Sequence, residues 1–518
     1  MPKLVTLNLA YNKIEQLEAG AFKWLPNLLK IDLQSNRIEE FNWEAMTNCT
    51  NVFMSASVNL SDNVIAKLKF DKREIGRLYI KAIDLSHNML TMFPDTDFLS
   101  ALAPSSLKKL LLGHNKITLL NDNILSTSCQ DLQVLELQHN SIREVERYAL
   151  TDAVSLQIID LSENHLEIIP AGFFAHLKRL RIVNLSKNKI RAITKDIFEE
   201  TVMETLNIAH NHLKHFPSSL LAVSPTLINL DVSHNHIDHL DAMMLSNTPN
   251  LISLNLAHNK LTLLPDNVFS YLNNLISLDL SYNTIRANFK ELFHEIQHVK
   301  ELNLANIGLN QWPHLPLPSL ITLNLSSNAL DCRTTDHIPA NLVIRLGHLR
   351  NLDLSRNRFT LVPAFLWQTM PLLKHLDLSS NPIRIINRDS FAALIRLQTL
   401  SLQSIGVPVL ENIDGDSLHS LFSLTHIKIQ TWPGPHLSQL LGGLRGLRKL
   451  SIEVRGPVLS SQFNYIATID TAPKLREIEV SGSTLKNIYP DVFANTGIQT
   501  LPECSISLKV NSFKIDLI

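Results

Sequence analysis

Cysteine is scarce in this sequence of 518 residues. Cys49, Cys129, Cys332 and Cys504 are widely scattered, with no CxxC pair. A dense disulfide framework is therefore excluded, and the redox compartment is weakly informed. An excess of charge of one sign is also missing, with 47 Lys and Arg against 48 Asp and Glu. Nothing general drives the chain toward nucleic acid or an anionic membrane, and no aromatic residues interleave the basic ones to stack bases. No apolar run approaches the eighteen or so residues of a membrane span, so direct membrane insertion by this segment is not expected. The opening MPKLVTLNLAYN carries no signal-peptide pattern, and no hydrophobic tail suggests a lipid anchor. Motifs of catalysis are lacking too. There is no GxSxG, P-loop, HExxH or GxGxxG after a strand, and Gly442, Gly443 and Gly446 read as a turn. No enzyme activity and no cofactor are expected.

What is present is repetition. LISLNLAHNKL from Leu251 returns 24 residues later as LISLDLSYNTI from Leu275. The shared text LxxLxLxxNxL places an asparagine at Asn12, Asn36, Asn63, Asn88, Asn115, Asn140, Asn164, Asn188, Asn211, Asn235, Asn259 and Asn283, and again at Asn328, Asn357 and Asn381. Poorer copies hold Ile307, Ile405, Trp432, Arg455 and Ser483 there, making about twenty repeats. The LxL core alternates with the period of a half-buried strand, so Leu254 and Leu256 point inward and Ser253, Asn255 and Ala257 outward. The asparagine falls where the chain leaves the strand, and its amide can satisfy backbone groups of its own and the neighbouring turn. The other half of the repeat recurs as Pro170, Phe174, Leu177 and Leu180, then as Pro265, Phe269, Leu272 and Leu275, with Phe22, Phe198, Phe391 and Phe493 in the same phenylalanine slot.

Repeats of this kind bury their apolar face only by stacking. The expected fold is an α/β leucine-rich-repeat solenoid, a curved horseshoe with about twenty parallel strands on its concave face and loops and short helical turns on the convex one. Residues 1–384 form the regular array, with an irregular stretch at 307–350 that contains Cys332. Residues 385–500 are degenerate repeats, and 501–518 an uncapped tail. Neither end resembles a polar cap, which suggests a piece of a longer protein. Bridges among Cys49, Cys129 and Cys332, each in a different repeat, are not expected.

The PxxxFxxLxxLxxLxLxxNxL copies resemble the typical class of extracellular leucine-rich repeats, strongly over 1–400 and weakly over 400–500. Within that class the long run of repeats is most similar to the chaoptin-like adhesion proteins. That resemblance implies homophilic cell adhesion by a lipid-anchored, glycosylated ectodomain. Toll-like receptor ectodomains share the same repeats.

Three rows of side chains are candidate sites. His87, His114 and His139, and then His210, His234 and His258, stand just before the repeat asparagine. Rows of this kind aim their rings in parallel, whereas metal ligands converge, so solvated surface and no metal site is expected. Asp32, Asp84, Glu136, Asp160, Asp231, Asp279, Asp353 and Asp377 fill the slot between the strand leucines, a solvated strip that gives the concave face a mildly acidic character. Two apolar stripes interrupt that polar face: Val134, Ile158 and Ile182 in one slot, and Ile228, Ile252 and Ile276 in the adjacent one, with Ile321 beyond. These six residues with Asp231 and Asp279 form the expected partner-binding patch. Asn48, Asn59, Asn184 and Asn324 match the N-glycosylation acceptor. The sequence thus suggests a cell-surface interaction protein that takes a protein ligand, homophilic pairing included. A pattern-recognition ectodomain and the regulatory repeat region of a larger enzyme are the alternatives.

Overall fold

The computed structural model describes residues 3–46, 56–70, 78–103, 106–125, 127–215, 225–331, 346–405, 412–430, 440–453, 458–459, 473–482, 487–488, 505–510 and 513–517. They fall into two compact units, Met1–Asn274 and Leu275–Ile518.

Each unit is a parallel solenoid. In the first, eleven strands from Thr6–Asn8 to Ser253–Asn255 pair in parallel, one from each repeat. The register repeats slot for slot: Ile158 faces Val134 on one side and Ile182 on the other, and Leu206 faces Leu230. Period-2 alternation buries both leucines of each LxL core, such as Leu254 and Leu256. Ser253 and Asn255 are half-buried. Ala257, expected to face outward, is only 5% exposed, because the turn that follows the strand folds over it. The return half runs through turns, with short helical pieces such as Trp43–Met46, Thr96–Ala101 and Lys195–Phe198. Its phenylalanines fill the core: Phe22, Phe174, Phe198 and Phe269 are buried, while Phe493 lies outside the described residues.

The asparagine ladder has a repeating bond pattern. Asn188 donates through Nδ2 to the carbonyls of Leu161, Leu185 and Ser186 at 2.9, 3.1 and 3.3 Å. Its Oδ1 accepts the backbone N–H of Leu166 in the preceding repeat at 3.0 Å. Asn164, Asn211 and Asn235 repeat the pattern. Buried backbone groups leaving each strand are thereby paired with no second strand to pair them.

The second unit carries the parallel strands Ser277–Asp279 through Ser505–Val510. Ile307 occupies an asparagine slot, and the turn survives because Asn328 accepts from the N–H groups of Ile307, Gly308 and Leu309 at 3.1, 3.0 and 3.0 Å. Cys332 and residues 333–345 lie outside the described residues. Once the asparagines stop after Asn381, the strands lengthen to five or six residues, as in His426–Gln430, Lys449–Glu453 and Glu477–Gly482. Ladder pairing there continues past the LxL core, with Ile429 and Gln430 facing Ile452 and Glu453, and these facing Val480 and Ser481. The expected tail also joins the sheet: Ser505–Val510 pairs in parallel with Glu477–Gly482, and Phe513–Leu517 folds back antiparallel on it. Among the described residues no helix is long and apolar enough to cross a membrane.

Candidate functional site

The strand face of the first unit is a grid whose columns run across the repeats. One column stands just before each strand and is tied by backbone bonds from residue to residue: Gln133, Gln157, Arg181, Glu204, Ile228 and Ile252. The next column holds Val134, Ile158, Ile182, Thr205, Asn229 and Ser253 in register. The apolar stripes are thus diagonal neighbours rather than one strip. Between them Arg181 grips Glu204 in a bidentate pair, with Nη2 at 2.6 and 2.8 Å from the carboxylate oxygens. Ile182 and Ile252 are 37% and 39% exposed, whereas Val134, Ile158 and Ile228 are half-buried by their neighbours. Ile276 and Ile321 are half-buried members of the second unit, where the same column is mainly basic: Lys300, Arg350, Lys374 and Arg448.

The acidic row is occupied by its own backbone. Asp231 Oδ1 accepts the N–H of Ser233 at 2.9 Å, and its Oδ2 accepts from Asn255 Nδ2 at 3.2 Å. Asp279 accepts from the N–H and hydroxyl of Ser281 at 2.9 and 2.6 Å and from Asn303 at 2.8 Å. Asp32, Asp84, Asp160, Asp353 and Asp377 cap the N–H two residues on in the same way. This slot is a turn cap that either Asp or Asn can fill. The sequons share it. Asn59 and Asn184 commit Nδ2, the atom that would carry a glycan, to Asp32 and Asp160 at 3.1 and 3.0 Å. Among the described residues Asn324 uses only Oδ1, toward Ser326 at 2.9 Å, and Asn48 lies outside them.

The histidine rows have a backbone cause. The residue before each ladder asparagine adopts φ of 52° to 58° throughout both units, and none of these residues is glycine. Histidine tolerates the left-handed region better than most side chains do. In the first unit His87, His114 and His139 stack at 4.0 Å, and the column continues to Glu163 and Lys187. His139 Nδ1 lies 2.8 Å from Glu163, whose other oxygen accepts from Lys187 Nζ at 2.6 Å. Burial, and then the charges of His87 and His139, lower the pKa of His114 despite Glu163. The hydrogen bond from Lys187, with the neighbouring histidine charges, holds the Glu163 carboxyl below its ordinary range.

The sign of the pH dependence follows. The unfolded chain protonates His114 near its ordinary value of about 6.5, and the folded chain only at lower pH. The stability linked to His114 is therefore complete above about pH 6.5 and is lost as pH falls through it. Glu163, with its depressed pKa, gives up its own contribution at lower pH, below the ordinary carboxylate range. His114→Gln should reduce the fall in thermal midpoint between pH 7.5 and 5.5 by about 1–2 °C. An unchanged slope by calorimetry would remove His114 as a source.

In the second unit a cleft of about 320 Å³ opens on the strand face, lined by Asn324, Asn351, Asp353, His375, Asp377 and Lys428 among others. Burial raises the Asp353 pKa against hydrogen bonds from Ser355, and Asp377 adds to the rise. Burial, with Lys374 and His426, lowers that of His375. Periodicity picked out Asp353 and Asp377 as row members but could not reveal the cleft. A further group lies outside the histidine rows that the repeat text singles out: His215, Asp238 and His239 bring their ligand atoms within 4.8 Å of one another.

The model of the family described as leucine rich repeat matches residues 2–65, 105–166, 154–213, 201–261, 225–285, 249–309 and 347–404, more than half of the chain. Among curated proteins, chaoptin of Tribolium castaneum is 30% identical over 210 residues, covering 40% of this chain and 25% of that protein. Chaoptin of Drosophila melanogaster is 33% identical over 158 residues, covering 30% and 12%. The chain thus spans a quarter or less of these relatives. Among solved structures, a Leptospira interrogans LRR protein matches with a TM-score of 0.60 and 24% identity over 81% of this chain and 94% of that one. TLR13, solved as a complex with ssRNA13, matches with a TM-score of 0.56 and 17% identity over 98% and 89%. Both likenesses speak to the fold. By its repeats, its parallel solenoid units and the match across most of its length, the chain belongs to the leucine rich repeat family.

Proposed function

We propose that the chain is a binding segment of a cell-surface adhesion protein, and that it takes a protein ligand, a second copy included, on the strand face of its first unit. The observation that carries this is the exposure of Ile182 and Ile252 in columns whose other members are mainly polar, on either side of the Arg181–Glu204 pair. An exposed apolar side chain beside a fixed ion pair is the pattern of an interface anchor with a polar neighbour that sets register. Likeness to the chaoptins supports adhesion over other uses of the fold. The half-buried Val134, Ile158 and Ile228 flank the anchors, and Asp231 holds the turn beside them. Extracellular placement and N-glycosylation belong to the same reading, with Asn324 the described sequon whose Nδ2 makes no hydrogen bond among the described residues.

Display on cultured cells tests it. Cells bearing the wild-type segment should cluster, and Ile252→Asp or Ile182→Asp should weaken clustering about tenfold or more, because a carboxylate would be buried at the contact. Both sites are open in the unbound fold, so the unfolding midpoint should stay within about 1–2 °C of wild type. Clustering that survives both substitutions would sink the strand-face assignment. Wild-type cells that never cluster would remove homophilic adhesion.

A further inference from the structure

We propose that His215, Asp238 and His239 form a binding site for a divalent transition-metal ion of the zinc class. The repeat lattice builds it. Asn211 and Asn235 fix two consecutive turns, and four residues beyond each stands a histidine, His215 and His239. Same-slot imidazoles elsewhere in this unit lie nearly parallel: His87–His114 at 10°, His114–His139 at 18°, His210–His234 at 10°, His212–His236 at 17° and His234–His258 at 13°. Rings stacked in parallel aim their nitrogen lone pairs side by side and do not converge on one tetrahedral ion. His215 and His239 break the rule, with ring centroids 4.9 Å apart and planes inclined by 53°.

Their nitrogens converge on one carboxylate. Asp238 Oδ1 lies 2.6 Å from His239 Nδ1 and 3.6 Å from His215 Nδ1. Bonds of about 2.0–2.2 Å at tetrahedral angles set ligand atoms roughly 3.4 Å apart, a value between the two observed distances. A small rotation of His239 that exchanges its hydrogen bond for a metal bond completes the approach. The donor set, two imidazoles and a carboxylate, is the one zinc takes in open three-ligand sites. All three side chains are more than half exposed, which leaves at least one coordination position for water or for a side chain from a partner. His236 stands outside the cluster, its ring stacked nearly parallel on His212 and its Nδ1 3.1 Å from the Asn235 carbonyl oxygen.

The test is calorimetric titration of zinc chloride into the chelator-treated, tag-free chain. One saturable site is expected, and His215→Gln, Asp238→Asn and His239→Gln should each weaken it about tenfold or more. His234→Gln, in a parallel row, should leave affinity unchanged. Each variant alters an exposed side chain, and an unchanged unfolding midpoint shows that loss of binding is not loss of fold. Absence of saturable binding in the wild-type chain would overturn the site. So would affinity that follows His234 rather than the triad.

Discussion

Asn188→Leu should destabilise the first unit by about 2–4 kcal/mol, although leucine is close to asparagine in shape. The magnitude follows from which groups lose their partners. The carbonyls that Asn188 serves are shared. Leu161 also accepts from Asn164, Leu185 also accepts from Asn211, and Ser186 also accepts the N–H of Glu163. Each keeps one bond when Asn188 goes. The N–H of Leu166 is different, because Asn188 Oδ1 is its acceptor and Leu166 itself is fully buried. Removing that acceptor strands a buried donor, which costs about 1–3 kcal/mol, and the weakened carbonyl bonds add the remainder. Asn12 is the internal control. It is exposed and among the described residues bonds to Leu9 and Ala10 of its own turn alone, so Asn12→Leu should cost less than about 0.5 kcal/mol. Urea unfolding measures both, and hydrogen exchange at the Leu166 amide reads the orphaned donor directly. Equal costs for Asn12 and Asn188 would show that the rungs do not act through the neighbouring repeat.

The ladder was legible because its cause is local text. LxxLxLxxNxL states a strand, a turn and the residue that closes it, and repetition at a fixed period removes the ambiguity that a short apolar run carries. Three other features depend on local backbone geometry or on geometry between repeats, which the repeat text does not state. The aspartates of the strand slot read as solvated charge, because nothing in sequence shows that Asp231 and Asp279 spend their oxygens on Ser233 and Ser281. The left-handed backbone at His87 through His258 leaves a trace in composition, since Tyr, Ser, Asp, Glu and Lys share the slot, yet composition alone does not state a sign of φ. The convergence of His215 and His239 is a matter of ring tilt, and sequence fixes only that they occupy the same slot. The apolar stripes lie between these extremes. Their columns could be counted from the repeat, and the register agrees, but the bidentate Arg181–Glu204 pair that divides them and the unequal exposure of their members come from packing. At the C-terminal end the loss of the asparagines marks degenerate repeats in the sequence, but it does not state strand length, which runs from three residues in Thr399–Ser401 to six in Glu477–Gly482.

The same reasoning from packing sets the largest expected loss on the return half of the repeat. Phe174→Ala should cost about 3–5 kcal/mol, the range for emptying a buried aromatic site. Phe174 is fully buried, stacked on Phe198 of the next repeat with centroids 5.2 Å apart and planes within 2°, and met edge-on by Phe173 at 4.7 Å. Each repeat contacts mainly its neighbours, so a cavity here weakens the interface between two units of the stack as well as one core. The site is poorly placed to collapse. The turn backbone beside it is pinned, with the Phe174 N–H donating to the Ile197 carbonyl at 3.2 Å and the Phe198 carbonyl accepting from the Thr201 hydroxyl at 2.9 Å. Phe174→Leu should recover more than half of the loss by refilling most of the volume, although it gives up the ring contact worth about 0.5–1.5 kcal/mol. Phe198→Ala should then cost less in the Phe174→Ala background than alone, because the stacked partner is already gone. Urea midpoints of the four proteins of this cycle decide the matter: strictly additive losses would mean that the phenylalanines fill separate cores and that the return half does not couple one repeat to the next.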